Sequence, residues 1–372
     1  MNKKRVLHIS KFFYPYYGGI EDVVYTIIKG LKNNYDQQVI CFSERSRTYS
    51  ELIDGIPVTR VGICGILFSQ PLPIGYKCKL KQLLRSFRPD IIHVHLPNPW
   101  VCACLSRLDL GHAKVVVHWH ADILGKRLMY RLIEPYEHRI LQRADDIIAT
   151  SREYVSLSNP LQAYRDKIVI LPNTINENKL SLSEEDAVEI QRIRDRYNGR
   201  PLVLFIGRHV HYKGIKYLIR CVPMLRQDAV VLIAGTGVQT AQLMAQAKDN
   251  PSVHFIGRVP NEHIKFYLYA SSVFAFPSID RREAFGVALA EALYCGLPAV
   301  SFHIDGSGTT FVNRDNRTGL VVPNRDCEAF AEAVNRLLED EPLRKRLSQG
   351  AKLWARERFL SDQVLLLNQV YG

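Results

Sequence analysis

The chain has no C-x-x-C pair, no HExxH run and no Cys/His set at zinc spacing, and each absence removes a class of protein. Its eight cysteines (Cys41, Cys64, Cys78, Cys102, Cys104, Cys221, Cys295 and Cys327) are scattered. They read as reduced thiols rather than a disulfide framework, which points to the cytosol. No apolar run reaches the roughly 18 residues that a transmembrane helix needs, so any membrane contact is expected to be peripheral. The start, MNKKRVLHIS, passes from basic residues straight into a strand pattern, without the apolar stretch and small-residue cleavage site of a signal peptide. Disordered and fibrous classes are excluded too, because 47% hydrophobic and 23% charged residues are ordinary globular usage. At about 150 residues per domain, 372 residues predict two domains.

Acidic residues are in deficit: 49 Lys and Arg against 37 Asp and Glu give +12. The imbalance sits in one half, since residues 1–172 hold 24 basic against 15 acidic side chains and residues 173–372 hold 25 against 22. Such a surface suits nucleic acid, anionic lipid or a phosphorylated small molecule, and charge alone does not separate them.

Short apolar runs alternate with helical spacings along the whole chain. In the first half, strands are expected at 5–10, 38–42, 91–95, 114–119 and 146–150, and helices at 19–31, 76–87, 100–108 and 128–143. The stretch 172–201 changes character, first Asn-rich, then acidic, then closed by Asn198-Gly199-Arg200-Pro201, and reads as a connection holding one helix. Beyond it, strands at 202–206, 230–234, 253–256, 273–276 and 299–302 alternate with helices at 215–225, 239–247, 261–270 and 285–294, before a closing helical run from 328. This is α/β organisation around two successive parallel sheets. Ligands of such sheets sit outside the carboxyl ends of the strands, so the loops directly after strands carry the candidates.

The first such loop contains Tyr14 and Gly18-Gly19-Ile20-Glu21. Its glycines allow positive φ and close backbone approach, and the following helix N-terminus offers N–H groups to an anion. It lacks the spacing of GxGxxG, and a plain tight turn explains it equally well. The second is Gly207-Arg208, followed by Lys213-Gly214. Both cations can point into one crevice and neutralise a diphosphate, the alternative being two solvated surface charges. The third is Glu283-Ala284-Phe285-Gly286 running to Glu291, two carboxylates eight positions apart, with Glu291 about two turns into an apolar helix. A carboxylate there needs a partner, either ribose hydroxyls or a structural Lys or Arg. Gly235-Thr236-Gly237 and Gly306-Ser307-Gly308 are further glycine-rich loops after strands, open to ligand contact or simple turns.

Histidines gather in the first half, as His93 and His95 on one strand and His118 and His120 at the end of another. Alternate strand residues share a face, so each pair can clasp a metal, but the absence of standard metal motifs leads to an expectation of none. His120 and Asp122 are candidates for a substrate-facing loop, where imidazole and carboxylate bind sugar hydroxyls or move protons. The amphipathic helix at 76–88 carries Lys77, Lys79, Lys81, Arg85 and Arg88 beside Leu80, Leu83, Leu84 and Phe87. It suits an anionic lipid surface, or an ordinary sheet-covering helix with a solvated face.

Together, the Gly18-Gly19 loop, Gly207-Arg208 with Lys213-Gly214, and the E-x7-E element with FG after its first Glu resemble glycosyltransferase family 4, retaining nucleotide-sugar enzymes of GT-B fold. The likeness runs from VLHISKFFYPYYGGIE to TGLVVPNRDCEAFAEAVNRLLED. Pro172-Asn173-Thr174-Ile175-Asn176 is similar to that family's PNGID segment, with Thr174 where Gly is usual. The resemblance implies two facing Rossmann-like domains with a cleft between them: residues 1–172 for the acceptor, a linker at 173–200, residues 201–355 for the donor, and a C-terminal helix at 356–372 packing back toward the first domain. It implies that Arg208 and Lys213 hold the donor diphosphate and take part in catalysis, that Glu291 binds the ribose, and that Glu283 contacts the transferred sugar. It places Gly18, Gly19, Gly235, Gly237, Phe285 and Gly286 near the donor and His120 at the reaction centre, with Tyr14, His118 and Asp122 on the acceptor side. No metal or other cofactor is expected, in keeping with the missing DxD motif.

WHADI, SIDRREAFG and GSGTTFVN narrow the resemblance to bacterial O-antigen or exopolysaccharide enzymes. The expected activity is transfer of a hexose, mannose from GDP-mannose, to a polyprenyl-diphosphate-linked saccharide by a cytoplasmic enzyme peripheral to the inner face of the membrane. The alternatives are a UDP-hexose or UDP-N-acetylhexosamine donor, an epimerase or phosphorylase of the same architecture, and a non-catalytic basic protein for lipid or nucleic acid. Nucleic-acid binding expects basic residues interleaved with aromatics along one surface, whereas the unusual residues here sit in loops after strands, so no nucleic-acid partner is expected.

Overall fold

The computed structural model describes residues 3–16, 18–67, 70–125, 127–226 and 228–372, and forms two compact units, Met1–Thr174 with Ser361–Gly372, and Ile175–Leu360. Each is built on its own α/β sheet.

The first unit holds strands β1 (Arg5–Ile9), β2 (Asp36–Phe42), β3 (Tyr49–Ile53), β4 (Ile56–Val61), β5 (Ile63–Leu67), β6 (Gln70–Pro73), β7 (Ile91–Leu96), β8 (Lys114–Trp119), β9 (Asp146–Ala149) and β10 (Ile168–Ile170). Its main sheet has the order β10-β9-β8-β7-β1-β2-β4-β3, parallel except where β3 returns antiparallel to β4, while β5 and β6 form a separate hairpin. The central strands are buried on both faces, as their continuous apolar runs require. Register pairs His8 with His93 and His95 with His118, which sets these imidazoles on one face.

The alternation pattern did not reveal β3 to β6. β3 and β4 are joined by Asp54 and Gly55, both at positive φ (52° and 80°), a two-residue turn whose hand matches strand twist. The helix Tyr76–Phe87 buries Tyr76, Leu80, Leu83 and Phe87 and turns Lys77, Lys81 and Arg85 to solvent.

The second unit holds β11 (Leu202–Ile206), β12 (Val230–Ala234), β13 (Val253–Gly257), β14 (Val273–Phe276), β15 (Ala299–Phe302) and β16 (Gly319–Val322). They form a fully parallel sheet in the order β13-β12-β11-β14-β15-β16. Leu202 and Leu204 pack on one face, and Val203 and Phe205 on the other. Strand order reverses between β11 and β14, so a crevice opens at their carboxyl ends.

Two boundaries differ from the sequence reading. Residues 173–200 are not a free linker: Ile175, Leu180, Ile190, Ile193 and Tyr197 are buried in the second unit's core, because the helix Asp186–Arg196 has an apolar stripe that must be covered. The second unit accordingly spans Ile175–Leu360 rather than 201–355, and Phe359 and Trp354 belong to its core. Residues Ser361–Gly372 cluster with the first unit, where Tyr371 is fully buried and Val364 lies against Gly30.

Candidate active site

In the second unit, four loops after strands lie side by side. After β11, Arg208 is exposed, and the chain turns through His211–Lys213 into Gly214 at φ +63°. A Cβ on Gly214 would collide with the Pro277 carbonyl oxygen, so only glycine lets this loop close on the one after β14. The contact places Lys213 Nζ in an ion pair with Glu283 Oε2, across the point where strand order reverses. Ser278 Oγ donates to the same carboxylate oxygen at 3.0 Å. Both side chains are nearly buried. Burial pulls the Lys213 pKa down, but the Glu283 carboxylate overrides it and the net direction is up, against the opposing charge of Arg208. Lys213 is therefore a fixed ammonium with Arg208 within electrostatic reach.

Gly235-Thr236-Gly237 follows β12 and runs beside Gly207-Arg208-His209: the Gly207 amide donates to the Ala234 carbonyl at 3.1 Å, and the His209 amide to that of Thr236 at 3.0 Å. Gly235 sits at φ +116°, and a Cβ there would overlap the Gly207 carbonyl oxygen; one on Gly237 would lie 2.5 Å from the His209 oxygen. The loop after β15 clasps the one after β14, with Ser307 Oγ donating to the Glu283 carbonyl and the Gly308 amide to that of Ala284 at 2.9 Å. Glu283 is thus held through both its side chain and its backbone.

Gly286, at φ +91°, caps the helix Val287–Tyr294. Two expectations change here. Glu291 is the fifth residue of that helix, just over one turn in, because the chain turns at Gly286 before the helix begins. The ring of Phe285, expected among the donor-binding residues, is buried edge-on against Phe359 at 5.5 Å, so its side chain serves the core. Glu291 is also nearly buried and pairs with Lys179 Nζ at 2.5 Å, the structural-cation alternative for that carboxylate. Lys179 was missed because it lies in the segment read as a connection.

In the first unit, neither Gly18 nor Gly19 has positive φ: Gly18 is extended (φ −173°) and Gly19 begins the helix Gly19–Gly30. Gly18 instead makes room for the Glu21 carboxylate, which a Cβ would overlap. The preceding loop is anchored by buried Arg60, which donates to the Phe13 carbonyl at 3.2 Å and to that of Tyr14, whose ring stacks on Tyr25 at 4.8 Å. Asp122 is occupied, its Oδ1 accepting from Trp119 Nε1 at 2.9 Å and Ser158 Oγ at 2.7 Å, while its amide donates to Tyr154 OH at 2.5 Å. It pins the loop after β8.

His120 is buried, with Nε2 3.1 Å from His95 Nδ1 and its ring stacked at 4.1 Å on His118. Burial holds His120 at about 3 and His8 at about 4, and holds His93, His95 and His118 well below the usual histidine range, with their mutual repulsion adding to it. His120 is thus a neutral imidazole, able to hydrogen-bond but weak as a base.

A further residue had no motif to reveal it. Glu137 is buried in the helix Arg127–Arg143 and accepts from Tyr130 OH at 2.5 Å; burial pushes its carboxyl up to about 7, with Asp122 and Glu134 adding repulsion.

Residues 17–179 match the family model Glycosyltransferase Family 4, and residues 186–354 match Glycosyl transferases group 1. The chain is 30% identical to O-antigen chain mannosyltransferase C of Escherichia coli over 97% of its own length and 96% of that protein's. It is also 30% identical to a D-rhamnosyltransferase of Pseudomonas aeruginosa, over 95% and 92%. Among solved structures, sucrose-phosphate synthase from Thermosynechococcus elongatus superposes with a TM-score of 0.82 at 19% identity, covering 99% of this chain and 98% of that one. Anabaena HepE in complex with UDP and glucose gives 0.78 at 18%, with the same coverage. Two Rossmann-like units, the GT-B class of fold, and near full-length likeness at 30% identity lead to one conclusion: the chain belongs to the glycosyltransferases of family 4.

Proposed function

We propose that the protein is a retaining, metal-independent hexosyltransferase that moves mannose from GDP-mannose to a polyprenyl-diphosphate-linked saccharide in bacterial O-antigen or exopolysaccharide synthesis. The observation that carries this reading is the Lys213–Glu283 pair held at the switch point of the second sheet, with Arg208 beside it. The E. coli relative is named a mannosyltransferase of the O-antigen chain, which makes mannose the first sugar to test.

In this reading the donor occupies the second unit. Lys213 and Arg208 neutralise the diphosphate, the glycine-bounded loops at 207 and 235 admit its backbone contacts, Glu283 holds the sugar, and Glu291, oriented by Lys179 on its Oε1, holds the ribose through its other oxygen. The bond between the anomeric carbon and the β-phosphate oxygen breaks, and a bond to the acceptor hydroxyl forms on the same face. The hydroxyl proton passes to the departing phosphate oxygen, and nucleoside diphosphate leaves. Charge grows on that oxygen as the bond breaks, so these two cations supply the electrostatic stabilisation a divalent ion would otherwise give; removing one such group costs about 10²–10³ in kcat.

The acceptor is assigned to the first unit, whose basic excess suits a lipid diphosphate at an anionic bilayer. Ile66 and Leu67 of the β5–β6 hairpin and Ile74 are exposed, and Ile74 leads into the helix that turns Lys77 and Lys81 to solvent. Apolar and basic groups in sequence suit peripheral binding.

The test is incubation of the pure protein with GDP-mannose, UDP-hexoses and UDP-N-acetylhexosamines and a lipid-diphosphate N-acetylglucosamine acceptor. Mannosylated product, lost in Arg208→Ala and Glu291→Ala, is expected. Transfer from a UDP-sugar alone replaces the donor, and no transfer at all, with nucleotide-sugar binding unchanged in both variants, refutes the reading.

A further inference from the structure

Five histidines, His8, His93, His95, His118 and His120, crowd one end of the first unit's sheet, all buried. Four come from three adjacent strands, through the pairs His8 with His93 and His95 with His118, and His120 directly follows the last of these strands. A buried polar atom without a hydrogen bond costs about 1–3 kcal/mol, so such atoms are rare unless something binds them. Here six ring nitrogens lack a partner among the described residues: His8 Nδ1, His93 Nε2, His95 Nε2, His120 Nδ1 and both of His118.

For four of these rings, all but His118, the opposite nitrogen is held. His8 Nε2 lies 2.9 Å from Gln37 Oε1, and Gln37 Nε2 donates to the Ile28 carbonyl at 2.9 Å, which fixes the amide. The amide oxygen can only accept, so His8 Nε2 carries the proton and Nδ1 is a bare lone pair. His93 Nδ1 lies 2.6 Å from Tyr371 OH, and His95 Nδ1 3.1 Å from His120 Nε2. Histidine ligands of metals are built this way, one nitrogen free and the other hydrogen-bonded to orient the ring.

We propose that His8, His93 and His95 form a binding site for a first-row divalent transition metal ion of the zinc class. One nitrogen from each lies within 4.8 Å of the others. A shared ion at about 2.0–2.1 Å from each nitrogen sets neighbouring nitrogens about 3.4 Å apart, which each ring reaches by moving under about 1 Å. Three neutral imidazoles select zinc, nickel or copper over magnesium or calcium. A second triad, His95, His118 and His120, meets the same distance criterion, but among the described residues neither nitrogen of His118 has an orienting partner. The ion plays no part in the transfer chemistry proposed above. Its effect on the site is indirect: with Nε2 of His95 on the metal, Nδ1–H donates to His120 Nε2 and sets that ring's tautomer.

The test uses the untagged full-length protein, isolated from zinc-supplemented cells and, separately, refolded in zinc. Elemental analysis should find about one zinc per chain, and X-ray absorption at the zinc edge should find at least three nitrogen neighbours at about 2.0–2.1 Å and no sulfur. His8→Gln and His93→Gln should lower bound zinc at least 10-fold, while His118→Gln keeps it. Less than about 0.1 zinc per chain in both preparations, sulfur ligation, zinc retained in His8→Gln, or zinc lost in His118→Gln each overturns the site. If the His8 or His93 variants do not fold, the absorption spectrum of the unaltered protein decides.

Discussion

Replacing Glu137 by Gln should make the first unit more stable at pH 8 and leave it little changed at pH 4.5. In the folded chain burial raises this carboxyl from its ordinary 4.5 to about 7, with Asp122 and Glu134 reinforcing the shift and the Tyr130 hydroxyl opposing it. A raised carboxyl means that the native state keeps its proton after the unfolded chain has released it. Below about 4.5 both states are protonated and nothing is lost; between about 4.5 and 7 stability falls with rising pH; above 7 the full cost of a buried charge remains. That interval, at about 1.4 kcal/mol per pH unit, is worth about 3 kcal/mol. Gln is close in shape and never ionises, so it removes the cost. The assay is urea unfolding at pH 4.5, 6 and 8 in a Trp354→Phe background, where the two remaining tryptophans, Trp100 and Trp119, both report on the first unit. The buried imidazoles titrate over part of this range with the opposite sign, and subtracting the variant from its parent cancels them. A difference that stays constant from pH 4.5 to 8, or a parent that gains on the variant as pH rises, would refute the reasoning.

Lys213→Ala should lower kcat by about 10²–10³ in the transfer assay. It should also destabilise the second unit by about 3–5 kcal/mol, because Glu283 is left buried without its counter-ion. Adding Glu283→Gln should restore stability measured by urea unfolding but not activity. Gly214→Ala should cost at least about 1–2 kcal/mol in the same unfolding assay and weaken donor binding measured by calorimetry, since L-residues resist its φ and the Pro277 oxygen fills the space. Flotation with anionic liposomes should weaken as salt rises through the range where the Debye length shrinks from about 10 to 3 Å, and in Lys77→Glu/Lys81→Glu; salt-insensitive binding counts against the surface. Transfer should persist in EDTA without added magnesium; loss in EDTA and rescue by magnesium contradict a metal-independent reaction.

The sequence by itself determined the α/β class, the repetition of the pattern in two halves and the position of the glycine-bearing loops after the strands. Runs such as LVLFI, VVLIA and VFAF are apolar on both faces, so they had to be interior parallel strands, and the observed strands coincide with the runs. Arg208, Lys213, Glu283 and the loop glycines could be picked out as candidates because ligands of such sheets sit directly after strands, and the structure gathers Lys213 and Glu283 at one point. Local pattern does not carry long-range partners, and these only the tertiary structure decided. It assigned Lys179 to Glu291, put the ring of Phe285 in the core, and drew 175–200 into the second unit. It showed that Gly18 serves the Glu21 side chain rather than a left-handed turn. The histidines mark the division most clearly. Their i, i+2 spacing showed that each pair shares a face, but strand order and register are set by packing across the whole sheet. Only these brought His8, 85 residues before His93 in the chain, into the same buried layer of imidazoles.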